Sequence, residues 1–279
     1  MRVTLFGASG LLGQALVPAL DGEQLTTFSV EDADLRDHAR INQLVRDSRP
    51  EWIILCAAYA DVDGCESNRE LAMAVNCDGA VNVARAAREV GARLMFISTD
   101  YVFDGAKPTP YETTDKRCPV SVYGESKACA EQRLLEIVPE VCVVRTAWLF
   151  GHGGKCFPGT ILNLAETRPE LSVVNDQRGS PTFTPDLSKA LVELCRKNAR
   201  GIVHVTNSGN CTWYGFACEL FREAGLPTRV KPVTTAEFPR PARRPANSVL
   251  SPTSLHANGI ELPSWQDATR RYLQGIAKR

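Results

Sequence analysis

Residues 2–17 read RVTLFGASGLLGQALV, and this stretch decides the predicted fold. An apolar run typical of a strand comes first, and an amphipathic, helix-like run comes last. Gly7, Gly10 and Gly13 lie between them. In such a place the first glycine permits a tight turn, the second lets the backbone approach a pyrophosphate, and the third lets helix and strand pack closely. Because the unpaired N–H groups of the helix start then face the phosphates, the stretch favours nucleotide binding over a plain strand–helix turn.

Strand-like and helix-like segments continue to alternate over the first half of the chain. Apolar, strand-like runs lie at 52–58, 92–99 and 141–151, and helix-like segments lie at 37–48, 71–91 and around Lys127. Alternation of this kind predicts a parallel sheet covered by helices on both faces. The predicted fold class is therefore α/β, a doubly wound parallel sheet (Rossmann) with a smaller irregular α/β substrate lobe.

The alternation of strand-like and helix-like segments becomes less regular beyond residue 150, where prolines and glycines become more frequent. The stretch EFPRPARRPANS (237–248) predicts a loop, and TWYGFACELFREAG (212–225) predicts one helix that ends at a glycine. We predict a dinucleotide-binding domain over 1–150 and about 172–206, and a substrate-binding lobe over about 151–171 and 207–279.

Composition narrows the classes of function. Lys+Arg and Asp+Glu both number 32 in 279 residues, so the formal net charge is zero. A general nucleic-acid or membrane-surface binder would show a basic excess, and we predict neither partner. The start of the chain leads directly into a strand without the pattern of a signal peptide, and no apolar run approaches the roughly 20 residues that span a bilayer. We therefore predict a cytoplasmic protein.

The ten cysteines show no C-x-x-C pair, and several lie in apolar runs, such as Cys56 and Cys142. In a cytoplasmic protein of this size they are interpreted as small buried side chains with free thiols. The four histidines are scattered and do not show zinc-ligand spacing.

Two further stretches contain a hydroxyl, a phenol and an ammonium group. STDYVFDG (98–105) follows a strand, so Thr99 is expected at the carboxyl edge of the sheet, where ligands bind in doubly wound folds. VYGESK (122–127) places Tyr123 and Lys127 four residues apart, on one face of a helix.

These residue types suit the reduction of a ketone, in which carbon gains a hydride and oxygen gains a proton. A phenol with a pKa of about 10 is a slow acid–base group at neutral pH. The ammonium of Lys127 is expected to lower the pKa of Tyr123, and the Thr99 hydroxyl is expected to hydrogen-bond the developing alkoxide. Each residue alone has an ordinary alternative: a packing aromatic, a solvated lysine or a strand cap. Their occurrence together behind the glycine turn favours catalysis.

The identity of the cofactor stays open between NADPH and NADH. Asp34, in EDADLRD, is a candidate for the adenine end of a dinucleotide, and a solvated loop carboxylate is the alternative. No arginine directly follows the strand-like run LTTFSV (25–30), where it would indicate a 2′-phosphate.

Seven stretches carry a resemblance to a known family. They are GASGLLG, CAAYADVDGCE, STDYVFDG, VYGESK, VRTAWLFG, NDQRGSPT and RPANSVL. The chain resembles the extended short-chain dehydrogenases/reductases, and within them the dTDP-4-dehydrorhamnose reductase family, over nearly its whole length. The resemblance implies reduction of dTDP-4-dehydro-6-deoxy-L-mannose (dTDP-4-dehydro-β-L-rhamnose) at C4 to dTDP-L-rhamnose, with NADPH or NADH as hydride donor and a dTDP-sugar as partner.

The resemblance also implies roles for individual residues. Tyr123 would donate the proton, Lys127 would also bond the nicotinamide ribose, and Thr99 would polarise the sugar carbonyl. The implied cofactor-binding residues are Gly7, Gly10, Leu11, Leu12, Gly13, Asp34, Leu35, Ala58, Tyr59, Ala60, Tyr123 and Lys127. The implied substrate-binding residues are Thr99, Asp100 and Trp148, with Arg244 and Asn247 in a loop that closes near the substrate. For that loop, a surface proline loop is the alternative.

The sequence also departs from the family. Some members are described as metal-bridged dimers with a glutamate ligand early in the first helix, and Ala15 fills that position here. We therefore predict no metal, and a monomer or a weak homodimer.

Two alternative functions stay open, and a third is disfavoured. A 4,6-dehydratase carries Asp-Glu after the threonine, whereas Tyr101 follows Asp100 here, which disfavours a dehydratase. A sister sugar-nucleotide epimerase or reductase shares the fold, the glycine turn and the Tyr-x-x-x-Lys pair. A non-catalytic, NADP-binding regulatory subunit of methionine adenosyltransferase also keeps DYVFDG and that pair.

Overall fold

The computed structural model describes residues 1–277. Its main sheet consists of six parallel strands, which are β1 (Arg2–Phe6), β2 (Gln24–Phe28), β3 (Trp52–Leu55), β4 (Arg93–Thr99), β5 (Cys142–Thr146) and β10 (Gly201–His204). Their order across the sheet is β10-β5-β4-β3-β1-β2. The predicted α/β class with a doubly wound parallel sheet is confirmed.

Six short strands form three two-stranded sheets outside the main sheet. They are β6 (Leu149–Phe150), β7 (Glu170–Val174), β8 (Arg178–Gly179), β9 (Thr182–Phe183), β11 (Cys211–Thr212) and β12 (Arg229–Val233). The helices are α1 (Leu11–Ala19), α2 (His38–Ser48), α3 (Val62–Ser67), α4 (Arg69–Met73), α5 (Ala80–Val90), α6 (Val122–Ile137), α7 (Phe157–Ala165), α8 (Thr184–Arg196), α9 (Trp213–Ala224), α10 (Thr253–Ala257) and α11 (Trp265–Ala277).

Helices cover both faces of the main sheet, because every strand within it has apolar side chains on both sides. On one face α1 and α8 pack through residues such as Leu16 and Leu191. On the other face α2, α5 and α6 pack through residues such as Ile41, Val83 and Leu134. Burial of each such side chain contributes about 2 kcal/mol.

A third, aromatic-rich core lies where β6, β9, α7, α9 and α11 meet. Phe150 is at its centre, 5.3 Å between ring centroids from both Phe183 and Phe216. The predicted division of the chain into two lobes stays a prediction. Strand β7 crosses the predicted boundary at residue 172 and pairs with β12, whereas Leu255 of α10 packs in the core of the main sheet.

The helix-like segment 71–91 is interrupted. A π-helical turn, Ala74–Gly79, separates α4 from α5. Turns of this kind often occur at functional sites, and this one directs the side chain of Asn76 inward, where it is buried.

The prediction of free thiols is wrong for two of the ten cysteines. Cys77 in the π-helical turn and Cys129 on α6 form a disulfide, with their Cα atoms 5.9 Å apart. The two residues are 52 positions apart in sequence and meet only because α5 and α6 pack side by side, so spacing did not reveal the bond. The other eight cysteines are free.

None of the helices within residues 1–277 combines the length and the apolar composition that a membrane crossing requires.

Candidate active site

A cavity of about 810 Å³ opens at the carboxyl ends of β1, β3, β4 and β5. The chain crosses from one half of the sheet to the other between β1 and β3, and ligands bind outside this switch point in doubly wound sheets. Of the residues predicted to bind cofactor or substrate, these line the cavity: Gly7, Gly10, Leu11, Leu12, Gly13, Asp34, Leu35, Ala58, Ala60, Thr99, Asp100, Tyr123, Lys127 and Trp148. Tyr59, Arg244 and Asn247 lie outside its lining.

The glycine turn leaves room for phosphate groups. Gly7 has a φ of +87°, and a Cβ atom there would lie 2.6 Å from the Ala57 nitrogen. A Cβ atom on Gly13 would lie 2.1 Å from the Gly7 oxygen, so helix α1 packs against the turn at a distance that only glycine permits. Gly10 caps α1 without a side-chain hydrogen bond, and the first turn has no acidic residue. The helix start therefore fits a pyrophosphate.

Asp34 lies at one end of the cavity and forms an ion pair. Its carboxylate accepts hydrogen bonds from Nε of Arg36 at 2.9 and 3.0 Å, and this guanidinium lowers the pKa of Asp34. Arg36 also lines the cavity. An arginine is thus present at this end of the cavity, although it comes too late in the sequence to follow the strand directly.

Asn76 fixes the loop after β3. Its Oδ1 accepts from the Tyr59 nitrogen at 2.7 Å, and its Nδ2 donates to the Tyr59 oxygen at 3.0 Å and to the Ser126 hydroxyl at 2.9 Å. The loop residues Ala58 and Ala60 are thereby tied to the helix that carries Tyr123. Sequence reasoning missed Asn76, because its role depends on the π-helical turn.

Thr99, Tyr123 and Lys127 come together at the end of β4. Ser121 caps α6 and accepts from the Gly124 nitrogen at 3.2 Å, so the helix starts directly before Tyr123. A Cβ atom on Gly124 would lie 2.1 Å from the Tyr101 oxygen. Glycine at 124 therefore lets α6 approach the segment that follows Thr99.

The pKa of the Tyr123 phenol is shifted in the direction opposite to the one expected from the sequence. Burial raises the pKa of Tyr123, the negative charge of Asp100 adds to the rise, and a hydrogen bond with Thr99 opposes it. The pKa of Tyr123 is therefore raised, and not lowered toward neutral pH as expected from Lys127, because burial dominates. Tyr123 is consequently held in its protonated form, which is the form a proton donor needs.

Lys127 is itself strongly affected by burial. Its Nζ lies 3.9 Å from the centre of the Phe96 ring, and the side chain is almost completely buried. Burial lowers the pKa of Lys127 to about 7, although the charge of Glu131 opposes this. A lysine with such a pKa can gain and lose a proton near neutral pH.

Asp100 is a buried carboxyl group at the cavity wall. Its Oδ1 accepts from the Thr99 hydroxyl at 3.0 Å, and within the described chain its Oδ2 has no hydrogen-bond partner. Burial raises the pKa of Asp100 from 3.8 to about 6, while the hydroxyl of Thr99 favours the carboxylate. An unpaired acceptor oxygen of this kind suits a sugar hydroxyl.

We expect Asp100 to make the protein less stable as the pH rises from about 4 to about 6. The pKa of Asp100 is higher in the folded than in the unfolded chain. Its stabilising contribution is therefore complete below the pKa of the unfolded chain, and it is lost as the pH rises through the pKa of the folded chain. The free energy of unfolding of the native chain, minus that of Asp100→Asn, should fall by roughly 2 kcal/mol over this window. Chemical denaturation at several pH values measures this difference. A constant difference, or one that grows with pH, would contradict the shift.

Trp148 lies at the other end of the cavity in an uncommon backbone conformation. Its φ is +48°, and its ring stacks on that of Trp213 with centroids 3.5 Å apart. A Cβ atom on Gly179 would lie 2.3 Å from the Trp148 ring. Strained aromatic residues of this kind are typical of ligand sites.

The loop 237–248 is connected to the site indirectly. Asp63 on α3 accepts from Arg240 and Arg244, and from the Ala242 nitrogen at 3.1 Å. Asn247 Nδ2 donates to the Lys107 oxygen at 2.6 Å. Arg244 and Asn247 therefore hold this loop in place, and their predicted contact with substrate stays a prediction.

A family model described as the RmlD substrate binding domain matches residues 1–278. The dTDP-4-dehydrorhamnose reductase of Mycobacterium tuberculosis is 42% identical over 277 residues, which cover 96% of this chain and 90% of the relative. A probable dTDP-4,6-dihydroxy-2-methyloxan-3-one 4-ketoreductase of Streptomyces antibioticus is 37% identical over 282 residues, covering 99% and 96%.

A solved structure has nearly the same fold. The crystal structure of dTDP-4-dehydrorhamnose reductase from Bacillus anthracis in complex with NADP superposes with a TM-score of 0.96 and 39% sequence identity. The match covers 98% of this chain and 99% of that one.

Proposed function

Because the chain belongs to the RmlD substrate binding domain family, we propose that it reduces dTDP-4-dehydro-β-L-rhamnose at C4 to dTDP-L-rhamnose. It is an NAD(P)H-dependent reductase of this family. The observation that carries the proposal is the meeting of Thr99, Tyr123 and Lys127 at one wall of the cavity that begins at the glycine turn.

A reduced nicotinamide, when bound in this cavity, would supply the hydride that is added to C4 of the sugar. Tyr123 donates its phenolic proton to the C4 oxygen as negative charge develops there, and the Thr99 hydroxyl lies beside the same oxygen. Lys127 stabilises the phenolate and, with its pKa of about 7, returns a proton to it at neutral pH. Asp100 and Trp148 bind the sugar, with Arg244 and Asn247 in the adjoining loop.

The glycine turn binds the pyrophosphate of the cofactor, and Asp34 and Leu35 lie beside its adenosine. Ala58, Tyr59 and Ala60 contact its middle part. Each of these roles is a proposal. It rests on the position of the residue around the cavity, except for Tyr59, which lies outside the lining and lies between Ala58 and Ala60 in the sequence.

A related deoxysugar is the second candidate substrate. The 37% identity with the Streptomyces antibioticus ketoreductase supports it, since that relative acts on a different dTDP-linked ketosugar by name. A dehydratase is disfavoured, because Tyr101 occupies the position after Asp100 where a second carboxylate would be needed.

The test measures nicotinamide absorbance after dTDP-4-dehydro-L-rhamnose is supplied with NADPH or NADH in parallel reactions. We expect oxidation that depends on the sugar, and the two rates give the cofactor preference. Absence of oxidation with either cofactor, in protein that binds both, would exclude the proposed reaction and favour an epimerase or a regulatory subunit.

We further propose that the protein acts in the cytoplasm, as a monomer or weak homodimer, without nucleic acid. The balanced charge of the chain supports the last point. Ala15, in place of a glutamate ligand, supports the prediction that no metal takes part.

A further inference from the structure

We propose that Lys155 binds the pyrophosphate of the cofactor, and that Gln14 positions the loop that carries it. This inference rests on the proposed function for the identity of the cofactor. It assigns a role to the loop 151–156 between β6 and α7, which lies in the half of the chain predicted to bind the substrate.

The loop is anchored on both sides of Lys155. On one side the Gly153 oxygen accepts from Nε2 of Gln14 at 2.7 Å, and the same Nε2 donates to the Ser9 oxygen at 2.7 Å. On the other side Cys156 is buried and is the N-cap residue of α7. Only Gly154 and Lys155 lie between these anchors, so the position of the Lys155 backbone is well defined.

Two glycines let the loop lie directly over the start of α1. Gly153 has a φ of +89°, and a Cβ atom there would lie 2.2 Å from the Gln14 side chain. A Cβ atom on Gly154 would lie 3.3 Å from the Leu11 side chain. Larger residues would push the loop away from the glycine turn. The close approach places Lys155 on the cavity wall together with Gly10 and Leu11.

The charged side chains of the cavity favour an anionic ligand near Lys155 and the start of α1. Three cationic side chains line the cavity: Arg36, Lys127 and Lys155. Arg36 is paired with Asp34 at the adenosine end, and Lys127 is buried beside Tyr123. Within residues 1–277 the ammonium of Lys155 forms no ion pair, and the first turn of α1 has no acidic residue. Lys155 is therefore the cation available to a phosphate held by the N–H groups of α1.

The experiment measures binding without turnover, by calorimetry with ADP-ribose and with adenosine. ADP-ribose contains the pyrophosphate and adenosine does not. Lys155→Met is compared with Lys155→Arg and with Lys189→Met, which removes an exposed lysine of α8 outside the cavity. We expect Lys155→Met to raise the Kd for ADP-ribose about 10-fold at low salt, which is the effect of losing one charge-assisted hydrogen bond. The increase should be smaller at 0.5 M salt, because salt screens the charge.

The adenosine Kd of Lys155→Met should stay within about twofold of the native value, and Lys155→Arg should regain most of the ADP-ribose affinity. An unchanged Kd for ADP-ribose, or an equal loss for both ligands, would overturn the proposed contact. An equal loss in Lys189→Met would also overturn it, since the effect would then reflect general charge. Because no sugar is present, a failure of the proposed reduction would not alter these outcomes.

Discussion

Turnover of Tyr123→Phe is expected to fall by a factor of about 100 to 10,000, while the nicotinamide cofactor still binds. The substitution removes one oxygen from a partly buried ring and leaves its volume nearly unchanged. The ring keeps its edge contact with Tyr101, at 6.0 Å between centroids. What is lost is the proton that must reach the C4 oxygen as hydride arrives at C4. Lys127, whose Nζ lies over the Phe96 ring, is proposed to return a proton to the phenolate and not to donate to the C4 oxygen.

The measurement separates chemistry from binding. Single-turnover absorbance gives the rate of hydride transfer, and fluorescence titration gives the Kd for NADPH or NADH. Tyr214→Phe, on α9 and outside the cavity, serves as the matched control and should keep native turnover. A rate for Tyr123→Phe within threefold of the native rate would rule out Tyr123 as the proton donor.

Local patterns predicted the fold and the glycine turn, because both follow from interactions close in sequence. Strand β1, the turn and α1 are adjacent in sequence. The spacing of Gly7 and Gly13 between strand and helix indicates positions at which a larger side chain would not fit. The spacing of Tyr123 and Lys127 likewise fixes their common helix face.

Features that depend on distant segments were not predictable in this way. Cys77 and Cys129 meet through the packing of two helices, and Asn76 points inward because of a π-helical turn. The raised pKa of Tyr123 depends on burial, which no spacing rule contains. Lys155 lines the same cavity as the glycine turn only because a loop from a distant segment lies over the start of α1, although the glycines at 153 and 154 were a signal for a close approach.

A buried ion pair connects α6 and β4, the two elements that carry the catalytic side chains, to β5. Glu131 lies one turn after Lys127 on α6, and its Oε1 accepts from the Ser98 hydroxyl at 2.6 Å and from Arg145 Nε at 2.9 Å. Its Oε2 accepts from Arg145 Nη2 at 2.7 Å. Burial alone would raise the pKa of Glu131, but its bonds and charge pairing with Arg145 lower it. The pair therefore joins α6 to the ends of β4 and β5.

Glu131→Gln is expected to lower the free energy of unfolding by about 3–5 kcal/mol. Glutamine has the same shape but no charge, so the guanidinium of Arg145, which is 1% exposed, would stay buried without a counter-charge. Urea denaturation measures the loss, with an unchanged dependence on urea as the sign that the unfolded state is the same. Glu136→Gln, an exposed residue on the same helix that contacts Gln132, is the control and should change stability by less than about 0.5 kcal/mol. If both variants were equally stable, Glu131 and Arg145 would not hold the catalytic elements together, and the position of Lys127 would have to depend on apolar packing around Phe96.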